Sequence, residues 1–280
     1  MTTRRSRPSP PARGNAVAAA VASVEADAAD GRHSAPLRRQ SATGNRRGRS
    51  GVSAKPAAVS SPPAAVATDP GEINGTCPVV AIGDVHGCAS LLIQELEKHE
   101  GSGAELILLG DLIDRAPEAD GDRHVLELVW QLQARPGLWG LAGVTVLRGN
   151  HEQMLIDALA EDEPGLATDG WEWNGGDTAL LPFYRKHRTW FEALPRTVIR
   201  GDYLFVHAGV RPGVPLEQQK DDDLIWIRRP FLNRPHGLPY TVVHGHSITR
   251  DHRIERRADR INLDTGAFRS GVLSSLRLKI

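Results

Sequence analysis

Apolar positions are unevenly spread along the 280 residues. Up to about residue 75 they show no period, and Ala, Arg, Ser, Pro and Gly follow one another with no Phe, Trp or Tyr. A regular rhythm begins at Cys77. Residues 78–82 are a short apolar run ending in Gly83-Asp84, which reads as a buried strand. Residues 88–100 place Leu92 and Leu96 on one face of a helix closed by Gly101. Residues 105–109 form a second apolar run, again ending in Gly-Asp, at Gly110-Asp111. Val125, Leu128, Val129 and Leu132 recur at i, i+3, i+4 and i+7, an amphipathic helix stopped by Pro136-Gly137. A third strand is expected over 143–147, then Arg148-Gly149-Asn150-His151-Glu152 and a helix to about Leu159.

Strand and helix thus alternate from Val79 to Leu159, the pattern of an α/β sandwich. Ligands in such folds collect beyond the carboxyl ends of the strands. Residues 163–192 break the rhythm. They hold Trp171, Trp173, Asn174-Gly175-Gly176 and a helical stretch with Leu180, Leu181, Phe183 and Tyr184, and they read as a mostly helical cap. Strands return at 197–200, 203–206, 240–243, 260–263 and 271–278. Trp226-Ile227-Arg228 reads as extended chain, with Trp226 turned into the core.

Composition separates the chain into two parts. The totals of 34 Lys+Arg and 34 Asp+Glu cancel, but residues 1–60 hold 11 against 3, a net of +8, and the rest hold 23 against 31, a net of −8. A cationic, aromatic-free segment cannot bury enough apolar surface to offset roughly 1–2 kcal/mol of backbone entropy per residue. Residues 1–75 are therefore expected to be a disordered basic tail, and residues 76–280 one catalytic domain. Cys77 and Cys88 lack any metal-knuckle or disulfide spacing and read as reduced packing residues. No apolar run approaches the ~18 residues of a membrane span. A cytoplasmic location is expected, with an organellar one as the alternative if the Arg- and Ser-rich tail is a transit peptide. Contact of the tail with nucleic acid or an anionic membrane is the third reading.

Five motifs carry the chemistry: Gly83-Asp84-Val85-His86-Gly87, Gly110-Asp111-Leu112-Ile113-Asp114-Arg115, Gly149-Asn150-His151-Glu152, His207-Ala208-Gly209 and His244-Gly245-His246. They supply carboxylate, imidazole and amide donors, the set that divalent cations of hard to borderline character take. Asp84 and His86 stand two apart at a strand end, so both can face one centre. Each motif alone is weak. Their occurrence in order, mostly at strand ends, is what points to a metal centre, and the complete donor set argues against a catalytically dead binding module.

On these motifs the chain from Cys77 to Ile280 resembles the metal-dependent phosphoprotein phosphatases of the calcineurin-like phosphoesterase superfamily. Arg148-Gly149-Asn150-His151-Glu152-Gln153-Met154, Trp226-Ile227-Arg228 and Asp264-Thr265-Gly266-Ala267 are similar to the compact bacterial and bacteriophage-lambda branch. The resemblance implies a β-sandwich flanked by helices with a small helical cap. It implies two divalent metal ions, Mn²⁺ foremost with Fe or Zn as alternatives. Asp84, His86 and Asp111 would form one site. Asp111 would bridge to a second, completed by Asn150, His207 and His246. His244 and His246 can both reach a metal, and alignment of the family's Gly-His-Thr with Gly245-His246-Ser247 favours His246.

The resemblance also implies a mechanism. A hydroxide bridging two metals would attack the phosphate in line. Arg115 and Arg228 would clamp phosphoryl oxygens, and His151, paired with Asp114, would protonate the leaving group. Arg229 adjoins Arg228 and would face the other way. The family usually carries Gly after the Asp-Arg pair, where this chain has Ala116. The activity implied is that of a protein serine/threonine phosphatase acting on a phosphorylated protein or peptide, with no regulatory subunit in evidence. The alternative on the same scaffold is a pyrophosphohydrolase of dinucleoside polyphosphates, of the symmetrical diadenosine tetraphosphatase kind, or of RNA caps.

Overall fold

The computed structural model describes residues 77–280. The basic tail, and the disorder expected of it, lie outside the described residues.

The three expected N-terminal strands form as β1 (Val79–Ile82), β2 (Glu105–Leu108) and β3 (Gly143–Val146). Helices α1 (Ala89–Glu97), α2 (Gly121–Ala134) and α3 (Asn150–Leu159) alternate with them. The stretch expected as a cap folds into α4 (Leu166–Trp173), α5 (Leu181–Lys186) and α6 (Arg188–Glu192). A second sheet follows with β4 (Thr197–Arg200), β5 (Tyr203–Val206), β6 (Thr241–His244), β7 (Glu255–Arg256) and β8 (Arg260–Asn262). Between β5 and β6 lies α7 (Asp221–Trp226), and α8 (Ala267–Ser270) precedes β9 (Ser275–Leu278).

The first sheet has the order β3-β2-β1-β9, with β1, β2 and β3 parallel and β9 antiparallel to β1. The second has the order β4-β5-β6-β8-β7, with β5, β6 and β8 parallel. Side chains alternate along each strand and so serve two cores. Val79, Ala81, Ile107 and Leu276 of the first sheet meet Phe205, Val243 and Ile261 of the second. Val80, Ile82, Leu106 and Leu108 point the other way, into the core made by α1–α6. Leu204, Val206 and Val242 back onto α7 and Phe231. Strands buried on both faces read as continuous apolar runs, as these do. Truncating Phe205, fully buried between the sheets, would cost about 3–5 kcal/mol.

Three elements differ from expectation. Trp226 is not a core residue of an extended segment. It ends α7 and is 40% exposed. Asp221, Asp222 and Asp223 favour a helix start through the helix dipole, and the helical period then buries Leu224 and Ile225 and leaves Trp226 outside. The last strand covers Ser275–Leu278 only, because 267–270 form α8 and Gly271 ends it in the left-handed region, φ +69°. The edge strand β7 is two residues long, too short to leave a period. The 166–192 helices share the first core through Trp171, Tyr184, Trp190 and Phe191 and are integral to the domain. Cys77 is half-buried and Cys88 buried, both as free thiols. Among the described residues no helix is long and apolar enough to cross a membrane.

Candidate di-metal active site

The parallel strands of both sheets deliver their carboxyl ends to one place. β1 leads into Asp84 and His86, β2 into Asp111, β3 into Asn150 and His151, β5 into His207, β6 into His246 and β8 into Asp264. The turns that aim these side chains are strained. His86 (φ +47°), Asp111 (+49°), Asp114 (+69°), Arg115 (+63°) and His246 (+63°) are five of the seven non-glycine residues with positive φ among those described. Such residues cost of order 1–3 kcal/mol each and persist only when their surroundings over-determine them.

Those surroundings are identifiable. The backbone N–H groups of Val85 and His86 both donate to Asp111 O, at 3.0 and 2.9 Å. The Glu152 carboxylate, fully buried, accepts from the backbone N–H groups of Asp111 (2.9 Å), Leu112 (2.7 Å) and Gly149 (2.8 Å). Glu152, at the third position of α3, thereby accepts the N–H of the helix-capping Gly149 and pins the Asp111 turn with the same two oxygens. A Cβ on Gly149 would collide with Asp111 Oδ1, and one on Gly245 with Asp84 Oδ1. Both glycines are there because the backbone must pass that close to a carboxylate.

Two donor groups share Asp111. His86, Asp111 and His151 form one, and Asp111, His207 and His246 the other, with the donor atoms of each within 4.8 Å of one another. His86 donates Nδ1–H to Ile113 O at 2.9 Å, which leaves Nε2 as a lone-pair donor 3.7 Å from Asp111 Oδ2. His207 donates Nδ1–H to Leu109 O at 2.9 Å. Its Nε2 faces Asn150 Oδ1 (3.0 Å), His246 Nδ1 (3.3 Å) and Asp111 Oδ1 (3.4 Å). Hydrogen bonds from the remote ring nitrogen to a carbonyl are the usual way a ligating histidine is oriented. Asp84 accepts the backbone N–H of His246 at 2.9 Å and lines the same cavity without belonging to either group. His244 is the last residue of β6, fully buried, with its ring 5.0 Å from that of Phe231, and it belongs to neither group.

One cavity of about 180 Å³ is lined by Asp84, His86, Asp111, Arg115, Asn150, His151, Arg228 and His246 together with Ile248 and Asp264, while His207 is fully buried and meets Asn150, His246 and Asp111 without lining it. His151 donates Nδ1–H to Asp114 Oδ2 at 2.6 Å, and its Nε2 lies 4.0 Å from Asp111 Oδ2. Asp114 also accepts Trp171 Nε1–H, at 3.0 and 2.9 Å to its two oxygens. Arg115 Nε donates to Asn174 O (3.1 Å), its backbone N–H to Gly175 O (3.1 Å), and Nη1 to His86 Nε2 (3.3 Å). The Asn174-Gly175 turn therefore holds Arg115. Arg228 reaches the cavity and donates Nη2–H to His246 O at 3.3 Å, whereas Arg229 does not line it. Ala116 stands where glycine was expected, and Arg115 adopts its positive φ all the same.

A model of the calcineurin-like phosphoesterase family matches residues 77–269. The chain belongs to this family. Serine/threonine-protein phosphatase 1 of Salmonella typhimurium is 30% identical over 222 residues, spanning 72% of this chain and 92% of that protein. The asymmetrical bis(5'-nucleosyl)-tetraphosphatase PrpE of a Geobacillus species is 26% identical over 231 residues, spanning 70% and 88%. The solved structure of the cold-active protein-tyrosine phosphatase of a psychrophilic Shewanella species shares the fold, with a TM-score of 0.51 at 18% identity over 73% of this chain and 76% of that one.

The electrostatics of this di-metal phosphoesterase fit cations. Burial raises Asp84 well above the usual carboxylate range, and Asp264 raises it further. Burial likewise pushes Asp264 up to about 6. Burial lowers His86 to about 3 and His246 to about 2, which keeps both imidazoles neutral, as ligands must be. Burial would also lower His207, but Asp111 outweighs it and the group rises to about 10. Burial would raise Asp111, yet His207 and His151 hold it well below its ordinary value. A ring of buried acceptors that keeps a proton on His207 to about pH 10 is a ring that demands positive charge, and divalent cations meet that demand with the O and N donors present.

Four residues escaped the sequence reading of the site. Asp264 was noted only as part of a motif, yet it lines the cavity with its Oδ1 held by Gly266 N–H at 2.9 Å. Its signal was the strand-end aspartate it shares with the Gly83-Asp84 and Gly110-Asp111 motifs. Glu152 stands at the start of a helix, and its bonds to the Asp111 turn span 40 and 41 residues, which spacing does not reveal. Trp171 had no chemical signature, because its role depends on Asp114, 57 residues away. Asp122 accepts Asp114 N–H (2.9 Å) and Tyr184 O–H (2.8 Å), so it fixes the turn that carries Asp114 and Arg115.

Proposed function

We propose that this phosphoesterase is a phosphoprotein phosphatase that hydrolyses phosphoserine and phosphothreonine monoesters. The carrying observation is the 2.6 Å hydrogen bond from His151 Nδ1 to the buried Asp114, with His151 Nε2 facing the cavity. A serine alkoxide is a poor leaving group and needs a proton as the P–O bond breaks, a contribution of about 10²–10⁴-fold. A phosphoanhydride leaves as a far more stable anion and needs that proton less.

Asp84, His86, Asp111, Asn150, His207 and His246 would hold two divalent cations, Mn²⁺ in the first instance. Bound there, the cations supply an acidified water as nucleophile and counter-charge for the phosphoryl oxygens. Arg115 and Arg228 clamp the remaining oxygens, a task suited to a planar guanidinium fork. Arg115 is pre-set for it by Asn174 O and Gly175 O. His151 in its imidazolium form gives its Nε2 proton to the departing serine oxygen, and Asp114 holds the ring through Nδ1–H, leaving it as the neutral Nδ1–H tautomer. Water and monoester thus become alcohol and inorganic phosphate.

Similarity to a dinucleoside tetraphosphatase favours a second reading, cleavage of a phosphoanhydride at the same centre. A substrate panel on the full chain with Mn²⁺ decides between them. Rapid release of phosphate from phosphoserine peptides is the expected result. Cleavage of diadenosine tetraphosphate with phosphopeptides untouched would overturn the proposal.

A further inference from the structure

Charge is unevenly placed along the domain. Residues 61–280 carry a net of −8, yet residues 226–260 hold eight arginines against three acids, a net of +5. Two of the eight are satisfied within the domain. Arg260 is buried over the Phe231 ring and paired with Asp259, and Arg257 is paired with Glu255. Arg228 lines the cavity. The other five, Arg229, Arg234, Arg250, Arg253 and Arg256, are exposed, and none of their side chains makes a hydrogen bond or ion pair among the described residues.

Tertiary contacts join the two segments that carry them. Arg257 Nη1 donates to Leu232 O at 2.6 Å, and Arg260 donates to Phe231 O and Arg234 O. Arg228 donates to His246 O, from which the chain turns through cavity-lining Ile248 into Arg250. The exposed arginines therefore sit on chain segments that meet: Arg229 precedes and Arg234 ends the 231–234 backbone held by Arg257 and Arg260, Arg250 follows the cavity-lining Ile248 by two residues, and Arg256 lies on the edge strand β7. Like charges brought together on an otherwise anionic domain repel one another, and a partner of opposite sign relieves that repulsion.

We propose that this arginine face docks an acidic segment of the phosphoprotein substrate, so that phosphoserine or phosphothreonine flanked by Asp or Glu is preferred. The inference rests on the phosphoprotein reading of the site. Guanidinium forks pair bidentately with carboxylates, and complementarity of this kind acts on encounter and specificity more than on chemistry. The basic segment 1–60, at +8, has the wrong sign to occupy the face. A single nucleic-acid strand calls for aromatic platforms between the cations. Trp226 is the one exposed aromatic in this stretch, and it stands against His246, with ring centroids 6.2 Å apart.

The test uses the full chain with Mn²⁺ and three phosphoserine peptides of equal length, flanked by glutamates, alanines or lysines. The glutamate peptide should exceed the alanine peptide about tenfold in kcat/KM at low salt, with the gap closing as ionic strength rises. The Arg253→Glu, Arg256→Glu double variant should lose the preference and keep its turnover of p-nitrophenyl phosphate. Equal cleavage of all three peptides by the unaltered protein overturns the inference and leaves the phosphoprotein reading standing. A preference that survives charge reversal overturns it too. If no phosphopeptide is cleaved while diadenosine tetraphosphate is, the reading of the site fails and the inference with it. Oligonucleotide binding that disappears on reversal, with no peptide preference, reassigns the face to nucleic acid and likewise overturns it.

Discussion

Asp114 carries His151 from beneath the cavity floor: its Oδ2 accepts the Nδ1–H at 2.6 Å, and both side chains are essentially fully buried. Burial would depress the imidazolium, but Asp111 and the bond to Asp114 outweigh it, and the pKa of His151 lies above its ordinary value. A raised pKa keeps the acid form populated to higher pH. His151→Asn should lower kcat by about 10²–10⁴-fold with KM little changed. Asp114→Asn removes one of the raising influences, so the alkaline limb of the kcat–pH profile should move to lower pH. A limb unmoved in Asp114→Asn would show that the pair does not set the acid.

Asp111 is shared by both donor groups through its two oxygens. Asp111→Ala should therefore abolish activity and reduce bound metal at both sites together. Metal analysis of the purified variant checks this. Loss of one equivalent with the other retained would show that Asp111 does not bridge.

His207 holds a proton to about pH 10 because Asp111 overcomes the effect of burial. A cation that takes the His207 lone pair must displace that proton. Addition of Mn²⁺ to the metal-free protein in weak buffer near pH 7 should release protons, and affinity should fall as the pH is lowered. Without metal the sign is also fixed. A raised histidine contributes stability below its unfolded value near 6.5, and that contribution is lost as pH rises toward 10. The rise in Tm on adding metal should accordingly grow from pH 6 to pH 9, which thermal melts would show.

Trp171 ties the 166–192 helices to the site through its bond to Asp114. Trp171→Phe keeps an aromatic ring but deletes the donor, leaving the Asp114 carboxylate one bond short. A loss of about 1–3 kcal/mol in unfolding free energy is expected, together with a fall in kcat. Urea unfolding and steady-state kinetics on the same preparation would reveal a purely structural role if kcat stayed constant.

Much of the architecture was legible because strands buried on both faces read as apolar runs and α2 keeps its 3.6-residue period through Val125, Leu128, Val129 and Leu132. α7 escaped notice because six residues hold fewer than two turns and three of them are aspartates. β7 escaped because two residues have no period. The donor inventory was legible too, since Asp84, Asp111, Asn150 and His207 lie within a few residues of the strand ends at Ile82, Leu108, Val146 and Val206.

By itself, the sequence determined which donors exist and that they lie at strand ends, since that much is local. The tertiary structure decided which of them meet. His246 and Arg228 face the cavity while His244 and Arg229 do not, and Asp264 and Trp171 join the site from β8 and α4. Periodicity reports the face of an element a side chain occupies. It says nothing of where a turn at positive φ aims a residue, or of a neighbour 162 positions away, as Asp84 is from the His246 N–H it accepts.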